Sequence, residues 1–141
     1  MRVTMDMGVS AKAFSSKCEA TLTKVGNGSR KALIAALDEI YDNSQNQVPR
    51  DTDTLASSGF YEVTGDYKTG WTGTIGYGGP VNPVNPKTGQ RASEYMVAVH
   101  EDLTAHHPIG KAKFLEDPVR EYAAEKFPRT VIRHLEPILS E

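Results

Sequence analysis

The first third of the chain has apolar residues at helical intervals, from Ser10 to Gln47. The apolar stripe consists of Phe14, Cys18, Leu22, Val25, Leu33, Leu37, Ile40 and Tyr41. Ser10 is a suitable N-cap, but the two glycines of "GNGS" at 26–29 each cost about 1 kcal/mol relative to alanine inside a helix. The pattern therefore predicts a long N-terminal helix, either continuous or split at 26–29 into two collinear segments. We favour the split form.

Alternating patterns typical of strands follow. "GFYEVTG" and "WTGTIGYG" alternate in hydrophobicity on either side of the turn sequence "GDYKTG", which predicts an antiparallel hairpin. "EYMVAVHE", residues 94–101, places Tyr95, Val97 and Val99 on one face of a third strand. The three runs together predict a three-stranded antiparallel meander.

The helical period returns near Asp117, which is a suitable N-cap for a helix with Pro118 at its first position. The apolar face of this helix consists of Val119, Tyr122, Ala123, Phe127, Val131, Leu135 and Ile138. Pro128 removes an intrahelical hydrogen bond, so the C-terminal helix is expected to kink near this residue. The order of helix, meander and helix predicts an α+β fold, a single domain over residues 1–141, with both helices on one face of the sheet.

Two segments between these elements have no regular period. "VPRDTDTLASSG" begins with Pro49 in its second position, which ends the helix, and continues with turn-forming side chains. Its arginine and two aspartates resemble an active-site cluster, but the sequence supplies no partner base or metal ligand, so a structural joint is favoured.

The Pro- and Gly-rich residues 79–93 predict an extended arm, which either reaches a neighbouring molecule or is a tolerated surface insertion.

Composition and charge narrow the classes of function. The 141 residues are 38% apolar, which is enough for a lean core, and 16 basic against 18 acidic residues give a net charge of −2. Such a chain lacks the cationic excess typical of nucleic-acid-binding proteins. Residues 12–31 are mainly basic and residues 38–66 mainly acidic. This asymmetry reflects either ordinary solvated faces or complementary ends for head-to-tail contacts between copies.

The single cysteine, Cys18, excludes an intramolecular disulfide and lies in the helical stripe, where we expect it to be buried. No apolar run approaches the roughly 18 residues of a membrane span. The start, "MRVTMDMGVS", lacks the continuous apolar segment of a secretory signal. We therefore expect a protein made in a reducing cytoplasm, with no membrane contact.

The histidines are the candidates for chemistry. His106 and His107 are neighbours in a loop and His100 precedes them, but none has the HxxxH spacing of a helical zinc site. His100 and Glu101 would face opposite sides of a strand, so they would not form a base and its orienting partner. The sequence also lacks a GxSxG elbow and a phosphate-binding loop. We expect no enzyme, catalytic residue, cofactor or metal; a small metal-dependent hydrolase using His100, His106 and His107 is the alternative from a different class.

A long helix ending in "VPRDTDTLASSG", a hairpin, "YMVAVHE" and then "GKAKFLEDPVREY" occur in this order. The order resembles the small neck proteins of tailed bacteriophages, a family of minor capsid, tail-component and tail-completion (head–tail joining) proteins. The family's V-P-x-D-T-G-x-L joint is matched by Val48, Pro49, Asp51, Thr52 and Leu55. Its Y-A-x-x-V-H/E strand is matched by Tyr95, Val99, His100 and Glu101. Its P/K-x-F-L-x-P-A helix start is matched by Lys113, Phe114, Leu115 and Pro118. Two features depart from the family: Asp53 stands where it commonly has glycine, and the proline-rich arm is additional.

The resemblance implies a structural virion protein, made in the host cytoplasm, whose copies form a ring in the neck and join the head to the tail. It implies as partners other copies of the chain, an adaptor or head-closure protein, and the tail terminator or tail tube. Genome DNA would pass through without sequence-specific binding. A tail terminator that caps the tail tube is the alternative within this class. We expect assembly contacts at Pro80, Val81, Pro83, Val84, Pro86, His106, His107, Lys111 and Lys113.

Overall fold

The computed structural model describes residues 11–140, and within them five α-helices, one π-helical turn and two strands. In chain order they are α1 (Ala11–Gln45), α2 (Thr54–Ser57), β1 (Phe60–Asp66), β2 (Gly70–Gly76), α3 (Ala92–Glu101), α4 (Glu116–Glu121), the π-helical turn (Tyr122–Lys126) and α5 (Phe127–Leu139). The mixed helix-and-sheet class and the long N-terminal helix are confirmed. The predicted cap Ser10 and the side chain of Phe14 lie outside the described residues.

The helix α1 is continuous over 35 residues, so the predicted split at 26–29 is wrong. Its glycines permit close packing and do not form a hinge. A Cβ on Gly26 would lie 2.3 Å from the Cβ of Tyr67, and a Cβ on Gly28 would lie 2.6 Å from Cδ1 of Ile138. The Nε1–H group of Trp71 also donates to the Gly26 carbonyl, at 2.9 Å. The two glycines therefore let the hairpin and α5 approach the backbone of α1.

The N-terminal part of α1 projects beyond the body of the protein. Every side chain from Ser15 to Leu22 is exposed, and Leu22 keeps 61% of its surface accessible. Cys18 is exposed as well, so the expectation that it is buried is wrong. The apolar stripe is present in these turns, but nothing in the described part of the chain covers it.

The strands β1 and β2 form the predicted antiparallel hairpin and pair along their full length. Oδ1 of Asp66 accepts hydrogen bonds from the backbone N–H groups of Lys68 and Thr69, at 2.8 and 2.7 Å, and so fixes the turn. The hairpin packs on α1 at Gly73, where a Cβ would come within 2.8 Å of Leu37. The lack of a side chain at Gly73 thus lets the strand lie close to the leucine side chains of α1.

The predicted third strand, residues 94–101, is wrong, because this segment lies in α3. The strand pattern places Tyr95, Val97 and Val99 on one face. In the structure Tyr95 and Val99 pack on the core, whereas Val97 is 62% exposed. The described sheet therefore has two strands, not three.

The residues of α3 that reach the core have helical spacing: Ala92, Tyr95, Met96 and Val99. The segment therefore fits both the strand period and the helical period, and its N-terminal cap favours the helix. Oε2 of Glu94 accepts a hydrogen bond from the N–H of Arg91 at 2.8 Å, a contact that caps the first helical turn. The helical period and this cap together override the alternating pattern.

The C-terminal helix, predicted to kink near Pro128, changes its hydrogen-bond register just before this residue. The π-helical turn begins at Tyr122, and the N–H of Phe127 donates to the Tyr122 carbonyl. Pro128 lies in the first turn of α5, where its missing N–H is tolerated. The proline is thus accommodated by a π-helical turn on its N-terminal side.

Two clusters of buried side chains connect the elements. The larger consists of Val48, Leu55, Ala56, Tyr77, Ala92 and Phe114. The smaller consists of Ala36, Ile40 and Tyr122, with Ile75 packed against it. Ile75 of β2 thus packs against a cluster that joins α1 to the π-helical turn.

Residues 79–93, expected to form an extended arm, turn back on themselves. A β-bridge joins Val84 to Arg91, and the intervening "NPKTGQ" has the proline, asparagine and glycine typical of turns. Nζ of Lys87 is 2.8 Å from Oδ1 of Asp51, which ties the loop to the joint after α1.

Candidate functional site

The joint between α1 and β1, residues 48–59, is held by local hydrogen bonds. Nη2 of Arg50 donates to the carbonyl oxygen and to Oε1 of Gln45, at 3.1 and 2.8 Å. This contact places a positive charge at the C-terminal end of α1, where the helix dipole is negative. Asp53 has a φ of 58°, and its carbonyl accepts from the N–H of Ser57 in α2. The side chain of Arg50 and the backbone of Asp53 thus hold the neighbouring helix ends, as expected of a structural joint.

The three motifs that resemble the neck-protein family converge on the larger buried cluster. The motif residues in this cluster or packed against it are Val48, Leu55, Tyr95, Val99, Phe114 and Leu115. Phe114 is 1% exposed, and its ring meets those of Tyr77 and His100 edge-on, with centroid distances of 5.1 and 5.0 Å. Pro118 is also fully buried. The motif side chains therefore act mainly in packing.

A charged network lies where the end of α3 meets the start of α4. Nδ1 of His100 is 2.8 Å from Oε1 of Glu101, and its Nε2 accepts from the N–H of Glu116 at 3.2 Å. Nζ of Lys113 pairs with Oε2 of Glu101 and, at 2.9 Å, with Oε2 of Glu116. Because Nε2 is the acceptor, the proton of a neutral His100 ring lies on Nδ1 and is donated to Glu101. We call these four residues the Lys113 network.

The contact between His100 and Glu101 corrects the sequence interpretation. On a strand the two side chains would face opposite sides, but at the end of a helix they lie close enough to pair. Lys113, with a φ of 58°, donates its N–H to the His100 carbonyl at 2.8 Å and so joins the third motif to the second. Sequence reasoning missed Glu116, although its spacing of three residues from Lys113 is typical of an ion pair.

The lysine controls the ionisation of both carboxyl groups. Its hydrogen bond to Glu101 is the main cause that lowers the pKa of that residue, and the hydrogen bond from His100 is the second. The ammonium group also lowers the pKa of Glu116. In return, the hydrogen bonds to Glu101 and Glu116 raise the pKa of Lys113. The two carboxylates and the ammonium group are therefore all charged near neutral pH.

The Lys113 network contains the one grouping of potential metal ligands within residues 11–140. Single ligand atoms of His100, Glu101 and Glu116 lie within 4.8 Å of one another. However, the Lys113 ammonium already pairs with both carboxylates, and Nε2 of His100 is occupied by a backbone N–H. A divalent ion would have to displace the lysine and break that hydrogen bond. The arrangement therefore fits an internal ion pair better than a metal site.

His106 and His107 lie beside the joint and are not part of this grouping. They line an open cavity with Pro49 and Asp51, and His107 also lines a second cavity with Thr52. His106 is exposed, whereas Nε2 of His107 is buried without a hydrogen-bond partner among the described residues. The three histidines of the hydrolase alternative are therefore not brought together as a ligand set.

The residues expected at assembly contacts differ in exposure. The exposed ones are Pro80, Val81, Val84, Pro86, His106 and Lys111. The partly buried ones are Pro83, His107 and Lys113. Lys111 pairs with Asp117, and Lys113 is held in its network. Val81 and Val84, which are 60% and 47% exposed, give the 79–93 loop an accessible apolar surface.

Comparisons of the chain with protein-family models, with curated proteins and with solved structures found no match. Within the described residues, none of the helices combines the length and the apolar character that crossing a membrane requires. Function is therefore inferred from the geometry of the chain and from the motifs it carries.

Proposed function

We propose that this chain is a structural component of the neck of a tailed bacteriophage, where its copies join the head to the tail. The observation that carries the proposal is the meeting of all three neck-protein motifs in one buried cluster. Residues 48–55, 95–101 and 113–118 are far apart in the sequence. Because the three segments pack on one another, one structural requirement explains why the motifs occur together. Three coincidental matches would share no such requirement.

The departure at Asp53 also has a structural explanation. This residue stands where the family commonly has glycine, and its φ of 58° is a left-handed conformation that glycine adopts freely. Aspartate tolerates this conformation better than most residues do. The joint therefore has the backbone shape that a glycine would favour, which supports the resemblance in the first motif.

Apolar surface left uncovered by the single chain supports a role in assembly. Leu103, Leu139 and Val97 are 74%, 67% and 62% exposed. Between the hairpin and α3 lies an open groove of about 350 Å³, whose lining includes Phe60 and Leu115. Unlike isolated exposed side chains, a continuous apolar groove is typical of a surface that binds another protein.

The Lys113 network is also better suited to a structural role than to hydrolysis. A catalytic metal site keeps one coordination position open for water. Here the ammonium group fills the space between the carboxylates, and the histidine is held from both ring nitrogens. These contacts fasten the end of α3 to the start of α4.

Virions of the phage that encodes the chain test the proposal. Mass spectrometry of purified particles should detect the chain, and electron microscopy should locate it between head and tail. Val81→Asp should give heads without tails, because a charge at a buried contact is costly. Thr88→Asp, which places the same charge elsewhere on the loop, should give normal particles.

Three results would contradict the neck assignment. Infectious particles without the chain would exclude a role in the virion. About one zinc ion per chain that resists chelation would favour the hydrolase. Density confined to the end of the tail tube would identify a tail terminator.

A further inference from the structure

The imidazole ring of His100 caps the start of α4 from outside that helix. Glu116 is the first residue of α4, and the N–H groups of a first helical turn have no partner within their own helix. Nε2 of His100 accepts a hydrogen bond from the Glu116 N–H at 3.2 Å. The side chain of His100 is only 18% exposed, and its ring meets that of Phe114 edge-on at 5.0 Å. One ring thus fastens the end of α3 to the start of α4.

This contact requires a neutral ring. A neutral imidazole has one N–H donor and one acceptor nitrogen, whereas both nitrogens of an imidazolium are donors. A proton on Nε2 would therefore point two donors at each other, the new N–H of the ring and the N–H of Glu116. It would also place a positive charge at the N-terminal end of a helical segment that continues to Leu139, where the helix dipole is already positive. Protonation of His100 and its contact with α4 are thus opposed.

The acidic groups around the ring already have cationic partners. These carboxylates belong to Glu101, Glu116 and Asp117. The side chains that pair with them belong to Lys113, Arg120 and Lys111. Three negative and three positive charges sum to zero. Protonation of the ring would therefore leave this group of described side chains with one excess positive charge.

The ring can change charge under conditions in which its neighbours do not. Histidine is the side chain that titrates between about pH 5 and pH 8. The three carboxyl groups have lowered pKa values, in each case mainly because the carboxylate accepts a hydrogen bond from a lysine. The pKa of Lys113 is raised by its hydrogen bonds to Glu101 and Glu116. Burial raises the pKa of Tyr77, the titratable side chain on the hairpin side of the ring.

The ring also belongs to the wall of the open groove between the hairpin and α3. His100 and Glu101 line this groove of about 350 Å³ together with Phe114 and Leu115. The last two residues directly precede Glu116 in the sequence. A displacement of the start of α4 would therefore move this part of the groove wall.

We propose that His100 is a proton-controlled latch, whose neutral ring holds the start of α4 against the end of α3 and whose protonation releases it. The latch is closed at the basic end of the histidine range and opens as the pH falls, because protonation removes the acceptor on which the closed contact depends. Opening loosens the groove wall at Leu115, so the shape of the groove depends on pH. The latch is a property of the single chain and does not require the neck assignment.

Nuclear magnetic resonance of the full chain tests the latch directly. At about pH 8 the ¹⁵N shifts of the His100 ring should show its proton on Nδ1. Between about pH 8 and pH 5, the exchange protection of the Glu116 amide, corrected for intrinsic exchange, should fall at least tenfold with the midpoint of the ring. Three results would overturn the inference: a proton on Nε2 at the basic end, a ring that keeps one charge state throughout, or protection that stays within twofold while the ring titrates.

Matched variants separate the charge of the ring from its bulk. In His100→Gln the amide oxygen can accept from the Glu116 N–H but does not titrate, so the protection should change less than twofold over the same range. His100→Leu has no acceptor, and its protection should be low at both ends. The control is His134→Gln, because Nδ1 of His134 lies 2.8 Å from the Thr130 carbonyl within α5, and it should keep the tenfold loss. A loss that persists in His100→Gln, or disappears in His134→Gln, would contradict the assignment to His100.

Methyl resonances report the groove wall. Those of Leu115 should shift with the midpoint of the His100 ring, whereas those of Leu37, which packs between α1 and Gly73 of the hairpin, should not. Stationary Leu115 signals beside a released Glu116 amide would refute the link between the latch and the groove. These measurements leave the proposed function untouched, since the presence of the chain in virions is decided separately.

Discussion

Gly26→Ala distinguishes a packing role of the α1 glycines from a hinge. If the glycines only loosened the helix, alanine would stabilise it by about 1 kcal/mol through helix propensity. The structure predicts the opposite sign at this position. The new Cβ would lie 2.3 Å from the Cβ of Tyr67 and 3.1 Å from its Cα. Both atoms are fixed to the hairpin backbone, so α1 and the hairpin must separate.

The net effect follows from two opposing contributions. Overpacking of this kind typically costs about 1–3 kcal/mol, and the separation also weakens the 2.9 Å hydrogen bond from Trp71 to the Gly26 carbonyl, worth about 1 kcal/mol. After subtraction of the propensity gain, we expect Gly26→Ala to lower the free energy of unfolding by about 1–2 kcal/mol. For a chain of this size that corresponds to roughly 4 °C per kcal/mol in Tm.

Two neighbouring substitutions are the controls. Gly28→Ala meets Cδ1 of Ile138 at 2.6 Å and Cδ2 of Leu135 at 3.0 Å. These are the mobile ends of side chains, so the net change should stay within about 0.5 kcal/mol of zero. Asn27→Ala is exposed and should stabilise by about 0.5 kcal/mol. Urea unfolding followed by circular dichroism measures all three. Stabilisation by Gly26→Ala equal to that by Asn27→Ala would refute the packing explanation.

Three further substitutions test the joint, the Lys113 network and the core. Asp53→Gly should be about 1 kcal/mol more stable than Asp53→Ala in urea unfolding, because both lose the same surface contact and only glycine is unstrained at a φ of 58°; equal stability would contradict this. The two glutamates of the network have lowered pKa values, so their stabilisation is present above the ordinary value of 4.5 and is lost as pH falls below it. The stability difference between the parent and Lys113→Met should therefore shrink from pH 6 to pH 3, and a constant difference would exclude the ionic explanation. Tyr77→Phe removes a hydroxyl 2.7 Å from Oγ of Ser44 and should cost about 1–2 kcal/mol, with the double variant Tyr77→Phe/Ser44→Ala costing less than the sum of the single changes; additive costs would show that the pair is not coupled.

The hairpin was predictable because its determinants are local. Its strands alternate in hydrophobicity, and the turn depends on Asp66, whose side chain bonds the next backbone N–H groups. The end of α1 at Gln45, shortly before Pro49, is local in the same sense. By contrast, the continuity of α1 depends on Trp71 and Tyr67, which are distant in sequence. The packing of these two side chains outweighs the helix-propensity penalty of Gly26 and Gly28, which the sequence correctly indicated.

The Lys113 network was only partly predictable, for a related reason. The third motif contains Lys113, and the second contains His100 and Glu101, but their contact requires the left-handed backbone of Lys113 and its N–H bond to the His100 carbonyl. The assignment of residues 94–101 to a strand also separated His100 from Glu101. The wrong strand assignment of residues 94–101 thus concealed the contact of Lys113 with Glu101 and His100, which the helix makes possible.

The wrong strand assignment also changes the explanation of how the hairpin is supported. With residues 94–101 in α3, the sheet within residues 11–140 has two strands, and a hairpin of this size is marginal without further packing. α1 supports one face, but packing on a face leaves the backbone groups of the strand edges unpaired.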